Sequence, residues 1–252
     1  FSDTLMPLKK KRYGNMADNF GYVYNAFYIV YMIDRTSPDA VVRKKVENYR
    51  HEMIQAFENL DQEKYYDFHW EGTSADGYAD AIEGALNLYN RERVSRTEKW
   101  IDREIHNLWK CQGDRGYGQS SYADGNFNRT TLMYCLWKTR GIHATNWRED
   151  LAFGATESHD GTRLLIHVTA YEADWSGTLV FDTPRHETFF NMPLDYPRIN
   201  SFPEWFTVDA DRKYEVVEAG GASKLFSGKE LAEGLPLNVS RGAEAQIIVT
   251  PL

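Results

Sequence analysis

Two textures of hydrophobic patterning divide the chain. Up to about residue 140 the apolar positions recur at helical spacing, and beyond about residue 147 they fall into short β-branched or alternating runs. The helical segments are themselves of two kinds. Residues 19–32 hold no charge, and 126–139 hold only Arg129 and Lys138. Residues 38–60 instead carry Arg43, Lys44, Lys45, Glu47, Arg50, Glu52 and Glu58 around a single stripe of Val42, Val46, Tyr49, Met53 and Phe57. Residues 95–110 set Arg96, Glu98, Lys99, Asp102, Arg103 and Glu104 around Trp100, Ile101, Ile105, Leu108 and Trp109. A helix apolar all round is covered, whereas a striped one faces water. The alternation therefore predicts αα-hairpins, an inner helix followed by an outer one. The first inner helix is expected over 15–33, the turn at Thr36-Ser37-Pro38 puts Pro at the first helical position of the next, and Gly141 ends the last as its C′ residue.

The inner helices open on near-copies of one another. Ala17-Asp18-Asn19-Phe20-Gly21-Tyr22, Ala75-Asp76-Gly77-Tyr78-Ala79-Asp80-Ala81-Ile82 and Ala123-Asp124-Gly125-Asn126-Phe127-Asn128 each give an Ala-Asp pair, then Gly or Asn, an aromatic and an apolar run. Their aspartates lie 58 and 48 positions apart, the spacing of a repeated supersecondary unit. An aspartate at this place accepts the orphan N–H groups of the first turn and meets the positive end of the helix dipole.

From about residue 150 the runs at 164–169, 178–181, 214–217, 235–239 and 245–249 read as strands, with Asp160-Gly161 as a hairpin turn. Residues 184–207 hold four of the eight prolines and are expected to pack on the helical part through Tyr196, Phe202 and Trp205. Asp174-Trp175-Ser176-Gly177 and Asp182-Thr183-Pro184-Arg185-His186 are read as turns. The fold class is α+β multidomain: an αα-hairpin domain over 1–146, then an antiparallel β-sandwich domain over 147–252.

The repeated openings and the inner and outer alternation resemble the (α/α) toroid of six-hairpin glycosidases and toroidal polysaccharide lyases, in which a β-sandwich also follows the helical ring. The resemblance covers about half the chain. Three inner and two outer helices are about half such a ring, and the chain opens on Phe1, so an upstream segment is expected. The resemblance implies a carbohydrate substrate.

Composition narrows the partners. A net charge of −8 argues against nucleic acid, which wants a basic surface, and Lys9-Lys10-Lys11-Arg12 reads as a solvated lead-in. Seven Trp and 16 Tyr are ample for a core and also suit the apolar faces of sugars. No apolar run reaches the about 18 residues of a membrane span. Cys111 and Cys135 make no disulfide framework, and Cys135 reads as a core residue. No metal or cofactor is expected: Cys111, Cys135 and His143 lack zinc-site spacing, and neither a Gly-x-Gly-x-x-Gly run nor a P-loop occurs.

The chemistry lies on the inner helices. Asp76, Asp80, Glu83 and Asn87 fall at i, i+4, i+7 and i+11, one stripe of a helix, and Asp124, Asn128, Thr131 and Cys135 repeat the offsets. Glycoside hydrolysis needs a carboxylic acid to protonate the leaving oxygen and a carboxylate as base or nucleophile. Asp76 and Asp124, held as anions at helix starts, suit the base. Glu83, one turn below Asp80, suits the acid through like-charge elevation, and Glu71, beside Trp70, suits it through desolvation. His69, Trp70, Tyr78, Asp80, Asn126 and Arg129 are candidate substrate-binding residues. Arg129, a rare charge on its helix, needs a partner: Asp80, Glu83 or a substrate carboxylate. The expectation is a glycoside hydrolase acting on an oligo- or polysaccharide, with uronic acid as a candidate component, periplasmic or secreted. Uronate β-elimination by a lyase of the same architecture, using His69, Tyr78, Tyr122, Asn126 and Arg129, is the second reading, and a carbohydrate-binding or scaffold protein the third.

Overall fold

The computed structural model describes residues 25–60, 75–113, 125–194 and 202–252. They form helices and antiparallel sheets, an α+β chain, in two compact units. One holds the described residues up to Tyr134 with Phe202 and Pro203; the other holds Cys135–Leu194 and Glu204–Leu252.

The helical unit contains α1 (Asn25–Asp34), α2 (Ala40–Glu58), α3 (Ala75–Glu92), α4 (Ser95–Lys110) and most of α5 (Gly125–Thr139). α2 starts two residues later than the proline suggests. The Asp39 carboxylate caps it by accepting the Val41 N–H at 2.8 Å, and the Ser37 hydroxyl accepts the Asp39 N–H at 3.3 Å. The Asp39 anion, unlike the neutral Ser37 hydroxyl, also meets the positive end of the helix dipole, which leaves Pro38 in the lead-in. α2 buries Val46, Tyr49, Met53 and Phe57 of the expected stripe and leaves Val42 half-buried. α3 is buried on every side from Gly77 to Tyr89, as its all-round apolar pattern requires. α4 packs beside it through Trp100, Ile101, Ile105 and Leu108, each fully buried. Its charged Glu104 is also fully buried, bonded by Arg103 and Asn107. Arg50 of α2 grips Glu92 of α3 with two N–H groups, at 2.7 and 2.8 Å, and the Tyr28 hydroxyl of α1 donates to the same carboxylate at 2.8 Å. One satisfied charge cluster thus ties three helices. α5 departs from expectation. Phe127, Thr130, Met133 and Trp137 are buried, but Leu132 is 55% exposed and Cys135 faces solvent. It buries one face only, so Cys135 is no core residue.

The last turn of α5 belongs to the second unit, where Trp137 packs on Trp205 with ring centroids 6.2 Å apart. Arg140 takes the left-handed C′ conformation (φ 53°), and the Gly141 N–H closes back on the Leu136 carbonyl at 2.8 Å. The stop is therefore one residue earlier than the glycine signalled. Gly141 is still required, because its φ is 83° and a Cβ there would meet the Asp182 Cβ at 2.8 Å.

Two antiparallel sheets follow. β1 (His143–Ala144), β4 (Trp175–Val180) and β7 (Leu235–Val239) form one, in the order β1-β4-β7. β2 (Leu151–Glu157), β3 (Leu164–Ala170), β8 (Glu244–Pro251), β5 (Lys213–Glu218) and β6 (Lys224–Ser227) form the other, in the order β2-β3-β8-β5-β6. Short helices α6 (Arg185–Thr188) and α7 (Gly228–Glu233) lie in the connections. The alternate residues Leu164, Ile166, Val168, Ala245, Ile247 and Val249 of one sheet, and Trp175, Leu179, Leu235, Leu237 and Val239 of the other, meet in one hydrophobic cluster. β1, β2, β6, α6 and α7 have no counterpart among the elements expected from the sequence, and Trp175-Ser176-Gly177, read as a turn, instead begin β4. Gly154 and two alanines hide β2, since small residues weaken a strand's signal.

Candidate functional site

The acidic stripe of α3 faces α5. Asn126 donates from Nδ2 to an Asp76 carboxylate oxygen. One helical turn further on, Arg129 donates from Nη2 to Asp80 at 3.0 Å and pairs through the same nitrogen with Glu83. The Thr130 hydroxyl, buried, donates to the Ala79 carbonyl at 3.0 Å. The contacts advance together along both helices, from Asp76 with Asn126 to Asp80 and Glu83 with Arg129, so α3 and α5 run in the same sense. Of the partners open to Arg129 at the sequence level, the fold supplies both carboxylates.

The row has a wet end and a dry end. Asp76 and Asn126 are half-buried in the first turns, whereas Asp80, Glu83 and Asn87 are 3%, 1% and 3% exposed. Deep in the row, Glu83 Oε1 and Asn87 Oδ1 have no hydrogen-bond partner among the described residues. The Asn87 amide donates instead to the Glu83 backbone carbonyl at 3.2 Å. Burial pushes the Glu83 carboxyl up to about 7; Arg129 opposes the rise and the Asp80 charge adds to it. Desolvation, not the like charge the spacing advertised, is the leading cause. A carboxyl that keeps its proton well above the usual carboxylate range thus shares the Arg129 guanidinium with Asp80.

Tyr78 is buried beside the row at 7% exposure. The structure therefore brings together Asp76, Asp80, Glu83, Asn126 and Arg129 on two helices. Asp124, Glu71, His69 and Trp70 lie outside the described residues, as does the first repeat at Asp18. Among the described residues no group of three or more His, Cys, Asp or Glu could hold a metal ion, and no helix is long and apolar enough to cross a membrane.

A second polar constellation lies in the other unit, where the sequence reads as a turn. Arg185 grips the Asp182 carboxylate from Nε and Nη2, at 3.0 Å each. Beside it the Glu204 carboxylate accepts both the backbone N–H of His186, at 2.6 Å, and its ring Nδ1, at 2.7 Å. Burial raises the Asp182 carboxyl above its ordinary value against the pull of Arg185. The only sequence signal for this cluster is the density of Asp182, Arg185 and His186 around Pro184. Their carboxylate partner stands 18 residues from His186 and cannot be read from spacing.

Compared with known proteins, the chain matches no family model, no curated protein and no solved structure.

Proposed function

We propose that the protein is a carbohydrate-active hydrolase whose reacting carboxylate is Asp76. In this reading the helical unit is an arc of an (α/α) toroid with α3 and α5 on its inner wall, and the two sheets of the other unit are a β-sandwich. The observation that carries the proposal is the row from Asp76 to Glu83 on an otherwise apolar helix, bonded along its length by Asn126 and Arg129 of a helix running the same way. Same-sense neighbours separated in sequence by an outer helix are the arrangement an inner wall needs. Carboxylates on so apolar a helix have a desolvation cost that solvated surface positions avoid.

The roles follow from exposure. Asp76, half-buried and held by Asn126, is the carboxylate that can meet a water molecule or a sugar. As the base it takes a proton from the attacking water as that oxygen bonds to the anomeric carbon. A second carboxyl must protonate the leaving oxygen, and Glu71, next to Trp70 in the sequence, is the proposed donor. Glu83 rises seven residues, about 10 Å, beyond Asp76 along the helix axis, and is shut from solvent. It is a positioning residue: with Asp80 it fixes Arg129, and Arg129 fixes the face of α5 that carries Asn126.

Asp76→Asn tests the proposal against a panel of neutral and uronate-containing polysaccharides. Reducing ends released by the wild type should fall about 10²- to 10⁴-fold in the variant, with polysaccharide binding retained. Undiminished activity removes Asp76 from the chemistry. Ultraviolet absorbance from an unsaturated sugar identifies elimination instead, and binding without any cleavage identifies a carbohydrate-binding protein.

A further inference from the structure

The inward rows of the five-stranded sheet carry charge at two places: Glu157 of β2, opposite Leu164 and paired with Arg140, and the β5–β6 end. On β5 the row is Tyr214, Val216 and Glu218; on β6 Phe226 stands opposite Tyr214 and Lys224 opposite Val216; on β8 Ile247 stands opposite Glu218. Alternation puts all of these side chains on the face that carries the core, yet two are charged. Departures from the binary pattern gather at functional sites. Glu218 and Lys224 line a cleft of about 260 Å³ together with Val216, Phe226, Leu235 and Leu237, so both sheets contribute to it. β6 ends one sheet and β7 ends the other, and the cleft opens between these edges. Neither Lys224 nor Glu218 has an ion-pair partner among the described residues.

Size and charge select the ligand. The volume lies below the roughly 300 Å³ at which drug-sized pockets begin, so it takes one apolar side chain. An added peptide strand is a poorer occupant, because Pro236 on β7 removes a main-chain donor from that edge. We propose that the cleft binds a small zwitterion with an apolar side chain, the chemistry of a free leucine- or phenylalanine-like α-amino acid. Its side chain lies against Phe226, Leu235, Leu237 and Ile247, its carboxylate meets the Lys224 ammonium and its ammonium meets the Glu218 carboxylate. Binding is non-covalent and moves no proton. It is independent of the hydrolase reading.

Titration of the full chain with L-leucine and L-phenylalanine, read by amide chemical shifts, tests the assignment. Saturable shifts are expected on β5, β6 and β7. N-acetylphenylalanine, which lacks the ammonium, and phenylalaninamide, which lacks the carboxylate, should each bind about tenfold or more weakly. Lys224→Met and Glu218→Gln should weaken the amino acid comparably with the sheet signal of circular dichroism intact. The blocked ligands pose the same question to the unaltered protein should a variant fail to fold. Absence of saturable binding, or blocked ligands binding as well as the free amino acid, overturns the proposal. So does a variant phenotype confined to self-association, the mark of charges that only keep sheet edges apart.

Discussion

Replacing Glu83 by Gln keeps the shape of the side chain and removes its titration. Glu83 is 1% exposed, and its carboxyl is lifted from 4.5 to about 7, chiefly by burial. In the unfolded chain the proton leaves near the lower value, while the folded chain keeps it until the higher one. Between the two the native state holds more protons, so stability falls as pH rises. The contribution is fully present below about pH 4.5 and lost by the time pH has passed about 7. At 1.36 kcal/mol for each tenfold change in proton affinity, a rise from 4.5 to about 7 corresponds to about 3 kcal/mol. Urea unfolding of wild type and Glu83→Gln, followed by the helical circular dichroism signal at about pH 4 and about pH 8, isolates this term, because all other titrations are shared. The difference should shift by about 3 kcal/mol in favour of the variant on going to the higher pH. Asp80→Asn, which removes the repelling charge, should move the transition of Glu83 to lower pH. A constant offset between wild type and Glu83→Gln across the range would refute the buried, protonated carboxyl.

Two further perturbations probe the second unit. Gly161 and Gly234 both have positive φ, but a Cβ on Gly161 meets open space and one on Gly234 meets Thr178 at 2.8 Å. Gly161→Ala should cost about 1 kcal/mol from backbone strain alone and Gly234→Ala clearly more; equal thermal shifts would contradict the close approach. Tyr214 is 2% exposed and its hydroxyl accepts the Asp209 N–H at 2.9 Å. Tyr214→Phe should lower the urea-derived stability by about 1 kcal/mol, and a neutral result would mean that water satisfies the Asp209 N–H equally well.

Local pattern carries the elements better than it carries their meeting. α3 reads correctly because every face is apolar except the Asp76, Asp80, Glu83 and Asn87 stripe, and burial of an all-round apolar helix leaves no choice of face. α5 has similar composition, but it buries only the side bearing Phe127, Thr130, Met133 and Trp137, and nothing local tells a half-covered helix from a covered one. The inward faces of β3, β7 and β8 follow from strict alternation. Their partners do not, since β3 pairs with β8 and β4 with β7 across long stretches of chain. α7 has a local signal in the sequence: Ser227-Gly228-Lys229-Glu230 forms a reciprocal capping box, a signature with a known sequence form. In the site, spacing supplied the acidic row and the need of Arg129 for a partner. Which partner it takes depends on the phase of α5 against α3, which is set by packing. The cause of the Glu83 shift was hidden for the same reason, because desolvation is a property of the surroundings.

Digestion of a mixed panel of neutral and uronate-containing oligosaccharides in heavy-oxygen water, read by mass spectrometry, asks directly whether the Asp76 row cleaves sugars by hydrolysis. Wild type should release products carrying one heavy oxygen at each new reducing end, and Asp76→Asn should not. Products without heavy oxygen and lighter by a water would mean elimination, and an intact panel would contradict cleavage by the row.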